Sequence, residues 1–122
     1  MKGTAVAILD ENGRLLLLKR STKAHWMPGK WGLPGGKTEK GETTEQCAMR
    51  ETLEETQLHV DNLVLLPEFR TAEVDIFYAP TYNGQVVLDF EHDDHAWVTP
   101  AEVKGYETTP RISSIFKRVR EL

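Results

Sequence analysis

The sequence predicts a layered domain of the α/β or α+β class. Short apolar runs typical of strands occur along much of the 122 residues, and two longer segments carry the signals of helices. The first begins with a capping box, because Thr43 is followed three residues later by Gln46. The second, residues 111–120, has an apolar stripe at helical spacing. The stripe consists of Ile112, Ile115, Phe116 and Val119.

The elements can be placed in order along the chain. The predicted strands are residues 3–9, 14–20, 31–33, 58–69, 73–80, 85–90 and 95–98. Asn12-Gly13 indicates a hairpin turn between the first two strands. A glycine-rich loop leads to the first helix, which we expect to end near Thr56 with Cys47, Ala48 and Leu53 facing inward. Thr99-Pro100 predicts a single helical turn before the final helix.

Length and composition narrow the class of protein. A chain of 122 residues fits one domain, so residues 1–122 are expected to fold as a single unit. Cys47 is the only cysteine, which excludes an internal disulfide framework. The apolar run at residues 3–9 is far shorter than the roughly 20 residues of a membrane span. We therefore expect a small cytoplasmic domain that does not enter a membrane.

The formal net charge of −4 is unevenly distributed. Residues 1–38 carry seven basic and two acidic side chains, whereas residues 39–55 carry six acidic and two basic ones. Residues 89–95 add four acidic side chains. The acidic total argues against a long nucleic acid as partner. Each acidic run is by itself consistent with a solvated face.

The first helix concentrates carboxylates on one face. At 3.6 residues per turn, Glu51, Glu54 and Glu55 share an arc of about 100°. Like charges so close together destabilise a helix, but hard divalent cations such as Mg²⁺ bind oxygen ligands of this kind. An exposed helix face, with Arg50 paired to Glu54, is the alternative explanation.

The loop before this helix is unusually constrained. Trp31 to Lys37 reads Trp-Gly-Leu-Pro-Gly-Gly-Lys, and its paired glycines permit close backbone approach. Only three residues separate Gly32 from Gly36, whereas a Walker A loop needs four, and the sequence lacks a G-x-G-x-x-G fingerprint. The spacing therefore excludes the common ATP-loop and dinucleotide-fold motifs.

The loop and helix together resemble the Nudix box, G-x5-E-x7-R-E-U-x-E-E-x-G-U, where U is a bulky aliphatic residue. The matching residues are Gly36, Glu42, Arg50, Glu51, Glu54, Glu55 and Leu58, so the box spans residues 36–58. Two positions depart from the pattern. Thr52 replaces an aliphatic residue, and Gln57 replaces a helix-ending glycine at a cost of about 1 kcal/mol if the backbone stays left-handed.

The resemblance implies a Nudix fold, an α/β/α sandwich with a mixed sheet between helices, and a hydrolase that uses Mg²⁺ or Mn²⁺. By similarity, Glu42 organises the loop and Arg50 orients the glutamates. The metal ligands implied by the family are the Gly36 carbonyl, Glu51, Glu54, Glu55 and Glu91. The expected catalytic residues are Arg50, Glu51, Glu54 and Glu91. The general base is left open between Glu54, Glu91 and another acid of residues 89–94.

The resemblance also bears on substrate and partners. Arg20 and Lys37 are the candidate phosphate-binding residues, because each offers a cation, and Arg20 is equally well explained as a surface charge at the end of a strand. The compact core resembles the MutT-like group, which takes free nucleoside triphosphates, while dinucleoside polyphosphates and nucleotide sugars stay open. A non-catalytic Nudix-like module that senses a nucleotide or binds a protein is the alternative. Many relatives dimerise, so a homodimer is also left open.

Overall fold

The computed structural model describes residues 2–122 and contains two β-sheets and two α-helices. The strands are β1 (Gly3–Ile8), β2 (Leu15–Arg20), β3 (Trp31–Gly32), β4 (Gly35–Lys37), β5 (Val64–Leu65), β6 (Val74–Ala79) and β7 (His92–Val98). The helices are α1 (Thr44–Thr56) and α2 (Ile112–Arg120). Two 3₁₀ turns lie at Pro67–Phe69 and Glu102–Gly105.

The strands form one mixed and one antiparallel sheet. The four-stranded sheet has the order β4-β1-β6-β5, and β1 runs parallel to β6 but antiparallel to β4. The three-stranded sheet has the order β3-β2-β7 and is antiparallel throughout. Since β1 lies between β4 and β6, it holds the glycine-rich strand at a fixed place in the molecule.

Two apolar clusters lie on opposite faces of these sheets. Because successive strand residues point to opposite faces, Val6 and Ile8 of β1 pack with Ala48 of α1, while Ala7 packs on the side of Phe116 of α2. The two helices thus enclose the mixed sheet from both sides. This arrangement confirms the predicted α/β fold.

The predicted long strand at residues 58–69 is wrong in extent. Only Val64 and Leu65 pair with a neighbouring strand, and Pro67 begins a 3₁₀ turn. Leu58 and Val60 are buried as anchors of an irregular segment. The segment has the apolar content of a strand because several single apolar side chains are buried in it. Most of its backbone, however, is not paired with another strand.

The predicted strand at residues 85–90 is absent from the described chain. Instead, the Val87 N–H donates to the Thr56 carbonyl at 2.9 Å and the Asp89 N–H to the Glu55 carbonyl at 3.3 Å. These amides bind carbonyls that the end of a helix leaves free. The sequence also missed β4, and β7 begins at His92 rather than at residue 95.

The predicted helices agree with the structure better than the predicted strands do. Cys47 and Ala48 are buried as predicted, but Leu53 is only half-buried and Thr52 occupies the buried position instead. All four residues of the α2 stripe are buried. Within residues 2–122, neither helix is both long and apolar enough to cross a bilayer.

Candidate active site

Helix α1 has well-defined ends, which fix where its glutamates lie. At the start, Thr43 Oγ1 accepts from the Gln46 N–H at 3.0 Å, and Gln46 Oε1 accepts from the Thr43 N–H at 2.9 Å. At the end, Gln57 adopts the left-handed conformation with φ of 63°, and its N–H donates to the Leu53 carbonyl at 2.9 Å. Gln57 therefore keeps the backbone that the family's glycine favours.

The glycines of β4 let α1 approach the sheet. A Cβ atom at Gly36 would lie 2.4 Å from Cδ of Glu51, and one at Gly35 would lie 2.0 Å from the Thr4 carbonyl oxygen. The Gly35 contact is with the backbone of β1 and excludes a side chain there, whereas a side chain at Gly36 would displace the Glu51 carboxylate. The backbone of β4 is therefore the surface against which the Glu51 carboxylate rests.

Glu55 is the most buried carboxylate of the helix, with 4% of its surface exposed. Its Oε1 accepts from the Gly35 N–H at 3.0 Å. Burial, with a smaller contribution from the nearby carboxylates of Glu51 and Asp89, raises the pKa of Glu55 to about 9 against the opposing effect of the Gly35 N–H. At neutral pH without a cation, Glu55 is therefore protonated, and a bound divalent cation would favour its ionised form.

Arg50 joins the acidic side chains into one network. Its Nε and Nη2 donate to the two carboxylate oxygens of Glu42 at 2.7 and 3.0 Å. Its Nη1 lies 2.7 Å from Glu51 Oε1 and 3.3 Å from Glu54 Oε2. The Arg50 hydrogen bonds lower the pKa of Glu42 to about 2. The guanidinium thus holds the carboxylate of the loop and those of the helix together.

The donor chemistry of this network fits a hard divalent cation. Glu51, Glu54 and Glu55 supply carboxylate oxygens next to a glycine backbone that leaves room for them. Within residues 2–122, however, no three acidic, histidine or cysteine side chains have their ligating atoms gathered around one point. Arg50 holds Glu51 and Glu54, while Glu55 faces Gly35. A cation that binds here must compete with these contacts.

The Gly36 carbonyl has a partner in the structure. Thr4 Oγ1 donates to it at 3.5 Å, a long and weak hydrogen bond. Its role as a metal ligand stays a prediction from the family resemblance.

Glu91 and Arg20 lie outside this network. The Glu91 side chain is exposed, and its carbonyl accepts from the Ser21 N–H at 3.0 Å. Arg20 Nε donates to the Trp26 carbonyl at 2.7 Å, and its guanidinium lies 5.0 Å from the centre of the Trp26 ring. Among the hydrogen bonds and ion pairs of residues 2–122, none joins either side chain to the α1 glutamates. Their proposed roles stay predictions.

Lys37 and Asp89 lie nearer the network. The Lys37 carbonyl accepts from Arg50 Nη2 at 3.2 Å, while its side chain is exposed. Asp89 Oδ1 contacts His92 Nδ1 at 3.0 Å, and the Asp89 amide is bound to the carbonyl of Glu55. Sequence reasoning singled out Glu91 from residues 89–94. The acid that the structure places beside α1 is Asp89, which no spacing rule separates from its neighbours.

Comparisons with known proteins agree over nearly the whole chain. A family model described as NUDIX domain matches residues 1–119. A putative 8-oxo-dGTP diphosphatase of Bacillus subtilis (strain 168) is 32% identical over 108 residues, covering 84% of this chain and 68% of the relative. The nucleoside triphosphatase NudI of Salmonella agona (strain SL483) is 27% identical over 117 residues, covering 82% of this chain and 83% of the relative.

A solved structure gives the same result for the fold. The crystal structure of the MutT protein from Methanosarcina mazei Go1 superposes with a TM-score of 0.77 at 29% identity. The match covers 99% of this chain and 93% of that one. The two sheets and two helices are thus an arrangement shared with a MutT protein.

Proposed function

Since the chain belongs to the NUDIX family and is a Nudix hydrolase, we propose that it hydrolyses a phosphoanhydride bond of a nucleoside triphosphate with Mg²⁺ or Mn²⁺. The observation that carries the proposal is the Arg50 network, which gathers Glu42, Glu51 and Glu54 and places Glu51 beside Gly36 of β4. Relatives named as a diphosphatase and a nucleoside triphosphatase support the substrate class. Cytoplasmic location and homodimer formation stay predictions from the sequence.

Each residue of the network has a distinct part in this proposal. Glu51, Glu54 and Glu55 would hold the cation, which supplies charge neutralisation for the phosphates and lowers the pKa of water. Arg50 keeps Glu51 and Glu54 on one side of the helix and is itself fixed by Glu42. The exposed Lys37 and the half-buried Arg20 are the candidates for binding phosphate oxygens.

Glu54 is our preferred general base. Its side chain is 56% exposed, and its 3.3 Å contact to Arg50 is longer than the 2.7 Å contact that holds Glu51. A carboxylate held this weakly can reach a water molecule and accept its proton. Glu91 is the second candidate, because its side chain is exposed and forms no ion pair within residues 2–122.

The test is a hydrolysis screen with identified products. Triphosphates, oxidised nucleotides, dinucleoside polyphosphates and nucleotide sugars are offered with Mg²⁺ and with Mn²⁺. We expect triphosphate turnover, and Glu54→Gln should lower kcat by about 10²- to 10⁴-fold. Glu45→Gln, an exposed carboxylate in the first turn of the same helix, is the matched control and should retain wild-type turnover.

Two outcomes would contradict the proposal. If Glu54→Gln turned over at the wild-type rate while Glu91→Gln lost activity, Glu91 and not Glu54 would be the base. If the wild-type protein bound nucleotides but hydrolysed none of the panel with either metal, a non-catalytic module would be the better description.

A further inference from the structure

A groove of about 480 Å³ lies on the face of the molecule that α2 covers, on the opposite side of the mixed sheet from α1. It is formed by α2 and by the 3₁₀ turn at Glu102–Gly105 with the residues before it. The apolar part of its lining consists of Pro100, Val103 and Phe116. Ligand pockets typically have volumes of about 300–1,000 Å³, so the groove has room for an aromatic side chain and its neighbours.

The charged part of the lining is mostly basic. Lys104, Lys117 and Arg120 line the groove together with the acidic Glu121, and all four side chains are exposed. Since the whole chain has a formal net charge of −4, the groove is a positive region on an acidic molecule. A segment that complements it has an apolar group with carboxylates around it.

The chain itself carries a segment with this chemistry. Residues 87–94, here called the acidic segment, contain Asp89, Glu91, Asp93 and Asp94. Phe90 lies among these acids and is 91% exposed. An aromatic side chain held in water in this way is suited to act as an anchor that fills a pocket on a partner.

The backbone on both sides of Phe90 is fixed by hydrogen bonds. The Asp89 N–H donates to the Glu55 carbonyl at 3.3 Å, and the Glu91 carbonyl accepts from the Ser21 N–H at 3.0 Å. An ordered loop therefore presents the phenyl group to solvent. Because less chain must be ordered when the contact forms, the entropic cost of docking is reduced.

The acidic segment and the groove of one chain are too far apart to meet. Phe90 precedes β7 and Pro100 follows it. The seven residues of β7, His92–Val98, span about 20 Å at roughly 3.3 Å per residue. A segment and a groove at opposite ends of one strand can come together only between two molecules.

We propose that the groove binds residues 87–94 of a second copy of this chain, with Phe90 on the apolar lining and the carboxylates around it on the three cations. Because the segment and the groove are different surface patches, the contact joins copies head to tail. It does not depend on which nucleotide the protein hydrolyses, so it can be tested without substrate.

Self-association of the wild type is measured by sedimentation velocity at protein concentrations from about 1 µM to 1 mM, since contacts of this small size are weak. We expect dimers or longer oligomers with a Kd of about 10–300 µM. The Kd should increase when NaCl is raised from about 0.05 to 0.5 M, because salt screens exposed charges. A wild type that stays monomeric up to about 1 mM would overturn the proposal.

Two variants test the two sides of the contact separately. Phe90→Ala removes the anchor from the acidic segment, and Ser113→Trp fills the groove from an exposed position on α2. Each should raise the Kd of self-association by about tenfold or more, as expected for an anchor residue. The matched controls are Trp26→Ala, at another exposed aromatic residue, and Ser114→Trp, at an exposed serine of α2 outside the groove lining. Both should associate as the wild type does.

Mixing the two variants distinguishes this contact from self-association through another surface. The Phe90→Ala chain keeps its groove, and the Ser113→Trp chain keeps its acidic segment. An equimolar mixture should therefore form a one-to-one complex at a concentration where each variant alone is monomeric. A wild-type Kd in both variants, or a mixture that does not associate, would show that the segment and the groove do not bind each other.

A labelled peptide of residues 85–95 identifies the occupant of the groove. In fluorescence anisotropy it should bind the wild-type protein but not Ser113→Trp, and it should bind more tightly than a scrambled peptide of the same composition. Equal binding of the two peptides would contradict a second copy as the occupant and would identify the groove as a general site for acidic segments of other proteins.

Discussion

At the scale of single residues, the carboxylates of the site differ sharply in their environment. Glu42 is held ionised by Arg50, with its pKa lowered to about 2, whereas burial raises the pKa of Glu55 to about 9. Both residues belong to the same sequence motif. Their opposite behaviour follows from their partners: a guanidinium faces Glu42, and a backbone amide with two carboxylates nearby faces Glu55.

The raised pKa of Glu55 predicts how stability depends on pH. The folded protein binds this proton more tightly than the unfolded chain, whose glutamate titrates near 4.5. The contribution of Glu55 to stability is therefore fully present below about pH 4.5 and is lost as the pH rises towards 9. Glu55→Gln should remove this loss, so in metal-free buffer the variant gains stability relative to wild type from pH 5 to 9.

Chemical denaturation of both proteins across this range checks the prediction. The control is Glu73→Gln, which changes an exposed glutamate on the loop before β6. The free energy of unfolding of this variant should depend on pH in the same way as that of the wild type. A constant stability difference between Glu55→Gln and wild type at every pH would show that the Glu55 proton is not bound more tightly in the fold.

The residues of the motif were predictable because their spacing alone defines them. Arg50 binds both Glu42 and Glu51, and Gly36 lies against the Glu51 carboxylate, so residues far apart in the box come together in the structure. The identity of the acid beside α1 was not predictable. Several acids occur within residues 89–94, and the hydrogen bond between the Asp89 amide and the Glu55 carbonyl selects one of them.

At the scale of elements, α1 departs from its family pattern at Thr52 within the helix and at Gln57, the residue that follows its last turn. Gln57 takes the left-handed conformation at a position where glycine avoids the clash of a Cβ. Its side chain is exposed, so little packing depends on it. The strain is therefore confined to the backbone of one residue.

Replacing Gln57 by glycine should stabilise the protein. Relief of the left-handed strain exceeds the added flexibility of the unfolded chain, and we expect a net gain of about 0.5–1 kcal/mol in the free energy of unfolding. Urea titration measures it. Gln57→Ala keeps the Cβ and should show no comparable gain, and an equal gain in both variants would place the effect in the side chain instead.

Helices were easier to predict than strands for a physical reason. The capping box of α1 and the apolar stripe of α2 each lie within a single short segment. Both helices are therefore determined by residues close together in the sequence. A strand depends on a distant partner. Residues 85–89 have the composition of a strand, yet their amides bind the carboxyl end of α1, and β4 exists because β1 accepts it.

At the scale of the whole molecule, the acidic site should couple cation binding to stability. A cation that binds only the folded chain stabilises it by about 2.7 kcal/mol at a concentration one hundred times its Kd. For a domain of this size we expect Tm to rise by roughly 8–15 °C with saturating Mg²⁺ or Mn²⁺. Differential scanning calorimetry at pH 7.5 with and without the metal measures the shift.

A pair of variants assigns this shift to the site. Glu51→Gln should lose most of the rise in Tm, because its carboxylate lies against β4 within the Arg50 network. Glu73→Gln should keep it. A shift of the same size in both variants would mean that the metal stabilises the chain elsewhere.

The central position of β1 also determines how the molecule must fold. This strand pairs with residues 35–37 on one side and with residues 74–79 on the other, and the second pairing is parallel. Parallel pairing of distant segments is slow, because the chain loses the entropy of closing a long loop before the new contacts form and compensate for that loss. Helix α1 lies between the two partners in sequence. Its glutamates therefore acquire their wall when β4 joins β1, and the pairing of β6 on the other side of β1 completes the sheet that α1 packs against.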